Sequence, residues 1–185
     1  MIINIRGTHG SGKSTIVKRF LDKFEPEELG DNPKKPEGYE LDLGLNRNLL
    51  VVGSYKTACG GCDGIQPYAD IWPRVLDYSN YGHVLFEGAL VSSSYGNIGR
   101  ASEQFGNEFV FAFLDTPLDV CLERIVERRR KRGNTKPLDP KNTEHKYNSI
   151  QKSINKIQNE FNRRVEIVDY KNAYEQILRM FQNGD

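Results

Sequence analysis

The sequence predicts an α/β fold: one domain over residues 1–185, with a five-stranded, mainly parallel sheet flanked by helices on both faces. Two observations carry that expectation. Short apolar runs alternate with amphipathic stretches along the whole chain, the pattern that lays crossover helices over parallel strands. The first run, Ile2-Ile3-Asn4-Ile5, also passes directly into Gly7-Thr8-His9-Gly10-Ser11-Gly12-Lys13-Ser14-Thr15, which satisfies G-x-x-x-x-G-K-[ST] in a strand–loop–helix setting.

The elements follow in order. The first helix shows Ile16, Val17, Phe20, Leu21 and Phe24 at helical spacing. Residues 25–37, rich in Pro, Gly and charge, read as a surface loop. Residues 39–43 alternate and residues 49–53 are continuously apolar, so a hairpin is expected with its turn at 44–48. Ile65, Tyr68, Ala69, Ile71, Trp72, Val75 and Leu76 predict a helix despite Pro67 and Pro73. His83-Val84-Leu85-Phe86-Glu87 is a buried strand ending in an acid, and residues 109–114 form another. A helix starts at Pro117 and carries Leu118, Cys121, Leu122, Ile125 and Val126 inward, with Cys121 a core thiol. A basic run, Arg128-Arg129-Arg130-Lys131-Arg132, closes it. A return helix over about 143–161, the strand 165–168 and a helix over 173–181 complete the chain. The return helix carries Ile150, Ile154, Ile157 and Phe161, a stripe that would pack internally or against a second copy in a homodimer.

Composition limits the function classes. Hydrophobic residues make up 37% and charged residues 28%, ordinary for a globular domain. A net charge of +1 means that any attraction to a polyanion must come from local patches. No apolar run is long enough for a bilayer and Met1 leads straight into a strand, so a cytoplasmic protein without membrane partners is expected. Three cysteines argue against a disulfide framework. Cys59-Gly60-Gly61-Cys62 has metal-ligand spacing, but no second pair stands where a structural zinc site needs it.

The glycine-rich loop has a defined chemistry. Its backbone N–H groups converge on an anion and the following helix adds the positive end of its dipole. Residues 7–15 are therefore expected to hold a nucleoside triphosphate, with Lys13 on the β- and γ-phosphates and Ser14 on Mg²⁺. This makes the fold a P-loop NTPase. N-K-x-D, the mark of guanine-specific switches, is absent. Arg124, Arg128 and Arg132 share one helical face ahead of an irregular stretch, so residues 128–146 read as an Arg-rich lid that neutralises a transferring phosphoryl group and excludes water. Catalytic roles fall to Lys13, Asp63, Glu87, Arg128 and Arg132. Asp63 is assigned as the base toward an acceptor hydroxyl, and Glu87 joins Ser14 at the Mg²⁺. The reverse assignment stays open, as does a merely capping Asp63.

Taken together, Gly7 to Ser14, Cys59-Gly60-Gly61-Cys62-Asp63, Leu85-Phe86-Glu87-Gly88, Asp115-Thr116-Pro117-Leu118, Arg128-Arg129 and Lys136 to Thr143 resemble small P-loop kinases of the nucleoside-monophosphate-kinase type. More narrowly, the chain resembles the 5-hydroxymethyluracil DNA kinases of phages with hypermodified thymine. The resemblance implies ATP as donor and, as acceptor, the 5-hydroxymethyl group of a uracil in duplex DNA. Lys34, Lys35, Lys56, Arg128 to Lys131, Lys136, Lys141 and Lys146 would then meet phosphates, and Tyr55, Tyr68, Tyr95 and Trp72 would stack on an extruded base. Core packing competes with stacking for Trp72. The alternatives are a kinase of a free nucleoside or nucleotide, and a non-catalytic nucleotide-binding protein.

Overall fold

The computed structural model describes residues 1–56, 60–94 and 96–184. Its strands are β1 (Ile2–Arg6), β2 (Glu27–Leu29), β3 (Gly38–Leu41), β4 (Leu49–Val52), β5 (His83–Glu87), β6 (Phe109–Leu114) and β7 (Arg164–Val168). They form one sheet in the order β2-β3-β4-β5-β1-β6-β7. β4, β5, β1, β6 and β7 are parallel, while β2 and β3 add on antiparallel at one edge.

The sheet therefore has seven strands rather than the expected five. The hairpin supplies β3, with Gly38 opposite Val52 and Leu41 opposite Leu49. β2 lies inside the stretch read as a surface loop. Glu27-Glu28-Leu29 carries no apolar alternation, and what holds it is ladder bonding to β3. The Lys56 ammonium adds a salt bridge to Glu28 and a bond to the Pro33 carbonyl at 2.7 Å.

Helices α1 (Lys13–Lys23) and α7 (Ala173–Asn183) cover one face, where Ile16, Val17, Phe20, Ile177 and Phe181 pack on Ile3 and Ile5. The other face is covered by α2 (Ile71–Ser79), α3 (Ala89–Ser93), α4 (Gly96–Ala101) and α6 (Lys141–Asn155). There Val75, Val91, Ile98 and Ile150 meet Ile2, Phe86 and Phe111. Burial on both faces explains why the parallel strands are unbroken apolar runs. Helix α5 (Leu118–Lys131) stands at the end of β6 and buries Cys121 and Ile125.

Two helices differ from expectation. The expected helix from residue 65 starts at Ile71, and Cys62–Gly64 and Tyr68–Asp70 are single 3₁₀ turns before it. Pro73 sits in the first turn of α2, where its missing N–H costs nothing. Helix α6 widens into a π-turn at Lys156–Glu160. Its stripe is spent within the chain: Ile150 and Ile157 are buried, and Ile154 and Phe161 pack against the same core. Among the described residues, no helix is long and apolar enough to cross a membrane.

Candidate active site

The carboxyl ends of β5, β1, β6 and β7 lie side by side. The chain leaves β1 toward one side of the sheet and returns to the other, which opens a crevice at those ends. A cleft of about 640 Å³ occupies it. Residues 9–16 form its floor, Asp63 and Glu87 line one end, and Arg124, Arg128, Arg132 and Tyr170 line the other wall.

The loop after β1 is shaped by its glycines and by burial. Gly12, with φ of 105°, turns the backbone in the left-handed region into α1. Thr116 Oγ1 donates to the Ser11 carbonyl at 2.8 Å and ties the loop to the end of β6. Lys13 is buried, and its Nζ donates to the Gly7 carbonyl at 2.8 Å and the Thr8 carbonyl at 3.1 Å. Burial lowers the Lys13 pKa, an effect that Glu87 and Asp63 oppose. Among the described residues, the buried Thr8 and Ser11 hydroxyls find no hydrogen-bond partner. Orphaned polar atoms inside a loop of N–H groups are what an anion with many acceptor oxygens would satisfy.

Glu87 ends β5 and is buried. Its Oε1 accepts from Ser14 Oγ at 2.8 Å and from the Tyr55 hydroxyl at 3.3 Å. Burial raises its pKa, while Lys13 and the Ser14 bond pull it back. The folded protein thus holds that proton more tightly than the unfolded chain. Stability is expected to rise as pH falls through the folded-state pKa of Glu87 toward the ordinary 4.5. Glu87→Gln should remove this component from a pH series of denaturation curves, and an unchanged slope would contradict the account.

Asp63 lies in the turn Cys62–Gly64. Its carboxylate accepts from Ala89 N–H at 2.8 and 2.9 Å and from Leu90 N–H at 3.2 Å. It therefore caps α3, not a helix near residue 65. Among the described residues, Oδ2 carries only the Ala89 contact, which leaves acceptor capacity on a side chain lining the cleft. Gly61, with φ of 65°, lets this loop lie against Glu87, because a Cβ there would collide with the Glu87 backbone and carboxylate.

Helical spacing does place Arg124, Arg128 and Arg132 on one wall. Arg124 also donates to the carbonyls of Gly10 and Ser11, both at 3.3 Å, and its guanidinium lies 5.4 Å from the Tyr170 ring centre. Tyr170 had no signal in the sequence; it reaches the cleft because β7 ends beside β6, and its N–H binds Asp115 Oδ1 at 2.8 Å. His9 is half-buried, with Lys146 Nζ 3.2 Å from its Nε2. An ammonium can only donate, so that nitrogen is the acceptor of a neutral ring. Burial, followed by Lys146 and Lys13, keeps the pKa of His9 low.

Arg6 is a charge the apolar strand pattern hid. It is fully buried at the end of β1, where Nη1 donates to Asn4 Oδ1 at 3.1 Å and Nη2 to the Ser92 carbonyl at 2.5 Å. Phe111 and Phe113 lie 5.5 and 5.4 Å from its guanidinium. Burial pulls its pKa down to about 9, so it stays charged at neutral pH and pins α3 to β1.

Several expected contacts are not where stacking on a base requires them. Tyr55 is buried against Glu87, and the half-buried Trp72 packs on Phe105 and Phe109 against the core. Tyr95 and Cys59 lie outside the described residues. Cys62 is a buried thiol whose pKa burial pushes up, a poor start for a thiolate ligand. Cys121 is buried, as expected of a core thiol. Among the described residues, no three His, Cys, Asp or Glu side chains gather at a metal site.

No family model matches the chain. The 5-hmdU DNA kinase of Pseudomonas phage PaMx11 is 38% identical over 151 residues, covering 79% of each protein. That of Pseudomonas phage M6 is 32% identical over 68% of this chain and 71% of its own. The Delftia phage PhiW-14 enzyme is 29% identical over 84% of this chain and 63% of its own. A solved deoxyadenosine kinase from M. mycoides superposes with a TM-score of 0.51 over 100% of this chain and 98% of its own, at 14% identity, a likeness of fold alone. On these identities and coverages, the chain belongs to the family of phage 5-hmdU DNA kinases.

Proposed function

We propose that the protein is an ATP-dependent kinase that transfers the γ-phosphate to the 5-hydroxymethyl group of 5-hydroxymethyluracil in DNA. The observation that carries the reading is the single cleft in which the Lys13 loop, the Ser14–Glu87 pair, Asp63 and three arginines converge. Family membership supports the acceptor.

The order of strand ends gives the cleft a direction. The phosphate loop follows β1, Tyr170 lies beyond β6 and β7, and Asp63 and Glu87 lie on the β5 side. The donor nucleobase then rests against Arg124 and Tyr170, and the acceptor enters beside Asp63. Tyr170→Ala is expected to weaken ATP binding by about 10-fold, the scale of one lost stacking contact. Calorimetric titration with a non-hydrolysable ATP analogue checks it, and unchanged affinity would move the base elsewhere.

Lys13 turns from the Gly7 and Thr8 carbonyls to the β- and γ-phosphates, and the loop N–H groups hold the remaining oxygens. The Ser14 hydroxyl and the Glu87 carboxylate form an all-oxygen pair suited to Mg²⁺, which tolerates few protein ligands and keeps its waters. Bound there, Mg²⁺ would neutralise charge on the phosphates. Asp63 orients the acceptor hydroxyl and takes its proton as the oxygen attacks the γ-phosphorus; the bond from that phosphorus to the β,γ-bridging oxygen breaks and ADP leaves. Arg128 and Arg132, at the end of α5 ahead of the irregular residues 133–140, serve as the lid and balance charge on the transferring group.

The test is a panel of acceptors offered with γ-labelled ATP and Mg²⁺: hydroxymethyluracil duplex DNA, unmodified DNA, nucleosides and nucleoside monophosphates. Label in the modified DNA alone is the expected result. Label in a free nucleotide would keep the ATP half of the reading and overturn the acceptor.

A further inference from the structure

We infer a second anion site on the back of α5, formed by Arg129, Arg130 and Lys136, that grips the phosphodiester backbone of the acceptor DNA beside the reacting nucleotide. The inference rests on DNA being the acceptor.

The basic end of α5 is divided between two faces. Arg124, Arg128 and Arg132 line the cleft, whereas Arg129 and Arg130 line a separate pocket of about 240 Å³. The pocket exists because the chain doubles back. Gly133 N–H bonds the Arg130 carbonyl at 2.9 Å and Asn134 N–H bonds the Arg129 carbonyl at 2.9 Å, with Gly133 at φ of 75°. This left-handed cap reverses residues 134–138 along the helix. The Asn134 side chain then accepts from Arg129 at 3.4 Å and from the Lys136 backbone N–H at 3.2 Å, which sets the far wall. Val126, Pro137 and Leu138 supply an apolar floor.

Charge selects the occupant. Among the described residues, no carboxylate stands within salt-bridge distance of Arg129, Arg130 or Lys136. Lys131 is paired with Glu127 at 2.8 Å. Of the other basic residues expected on phosphates, Lys56 is engaged with Glu28 and Lys146 with His9, whereas Lys34, Lys35 and Lys141 are exposed and line neither pocket. With a net charge of only +1, attraction to a polyanion must be local, and this is a pocket where three cations meet. Guanidinium groups match phosphate oxygens, and the apolar floor suits a deoxyribose. Arg129 and Arg130 lie within one helical turn, about 5.4 Å along the axis, of Arg128 and Arg132 in the cleft. A strand held behind α5 can therefore deliver a neighbouring base into the cleft.

The test is fluorescence anisotropy of a labelled hydroxymethyluracil duplex across a salt series, with wild type and the triple variant R129A/R130A/K136A. Loss of one or two phosphate contacts should flatten the slope of log K against log salt by about 1 to 2 and weaken binding by about 10-fold or more at low salt. ATP-analogue affinity on the same sample reports that the fold is intact. The charge-conserving R129K/R130K should keep the wild-type slope. A triple variant with wild-type slope and affinity overturns the site, as does wild type that binds no DNA. Transfer to modified DNA with an unchanged slope defeats this site and leaves the acceptor assignment standing. A slope lost in the variant, with label only in free nucleotides, overturns the acceptor assignment and with it the role of this site toward acceptor DNA, leaving only a polyanion contact behind α5.

Discussion

Lys13→Ala should lower phosphoryl transfer by about 10³-fold or more while leaving the protein folded. The expectation follows from where the charge sits. The Lys13 ammonium is buried inside the loop, bonded among the described residues to the Gly7 and Thr8 carbonyls, and feels the charge of Glu87. In such a water-poor place a positive charge acts on a phosphoryl group with little screening, and removing one such group costs at least the 10²–10³-fold typical of a lost transition-state donor. The stability cost is small by comparison. Two hydrogen bonds, each worth about 1 kcal/mol net, disappear, and the desolvation that lowers the Lys13 pKa disappears with them. Single-turnover rates with melting curves on the same preparation separate the two effects. A variant that melts normally and transfers phosphate at the wild-type rate would remove Lys13 from the chemistry.

Asp63→Asn should retain ATP binding and lose about 10²-fold or more in transfer, the usual scale for a positioned base. The geometry makes this substitution informative. The Asp63 side chain both lines the cleft and accepts the Ala89 and Leu90 N–H groups that begin α3. An amide oxygen still accepts those donors but cannot take a proton, so Asn isolates the base role from the cap. Asp63→Ala removes both and should cost a further 0.5–2 kcal/mol or so of stability, as lost caps do. If Asp63→Asn turns over normally while Asp63→Ala is unstable, Asp63 is a cap alone and the base role passes to Glu87.

The parts of the site that sit within one element were readable from spacing. The loop glycines, Lys13 and Ser14 are adjacent in the chain, and Arg124, Arg128 and Arg132 recur every four residues, so both patterns survive without tertiary information. Glu87 was legible as the acid at the end of a buried strand. What could not be read depends on distant pairing. β2 has no apolar alternation and exists because residues 38–40 offer an open edge. Asp63 caps a helix that starts 26 residues later. Tyr170 enters the cleft through the order of β6 and β7, and Lys146 reaches His9 across 137 residues. Tyr55 departs from its expected stacking role for a related reason. An aromatic beside a glycine-rich loop suggests stacking, but its hydroxyl satisfies the buried Glu87 instead.

On the proposed function, this cleft moves phosphate from ATP onto the hydroxymethyl group of a base in DNA. The most direct measurement incubates hydroxymethyluracil duplex with ATP, Mg²⁺ and either wild type or Lys13→Ala, digests the DNA to nucleosides and weighs them by mass spectrometry. Wild type should yield a phosphorylated 5-hydroxymethyldeoxyuridine and the variant none. Unmodified nucleosides in both, or the same product in both, would contradict that function.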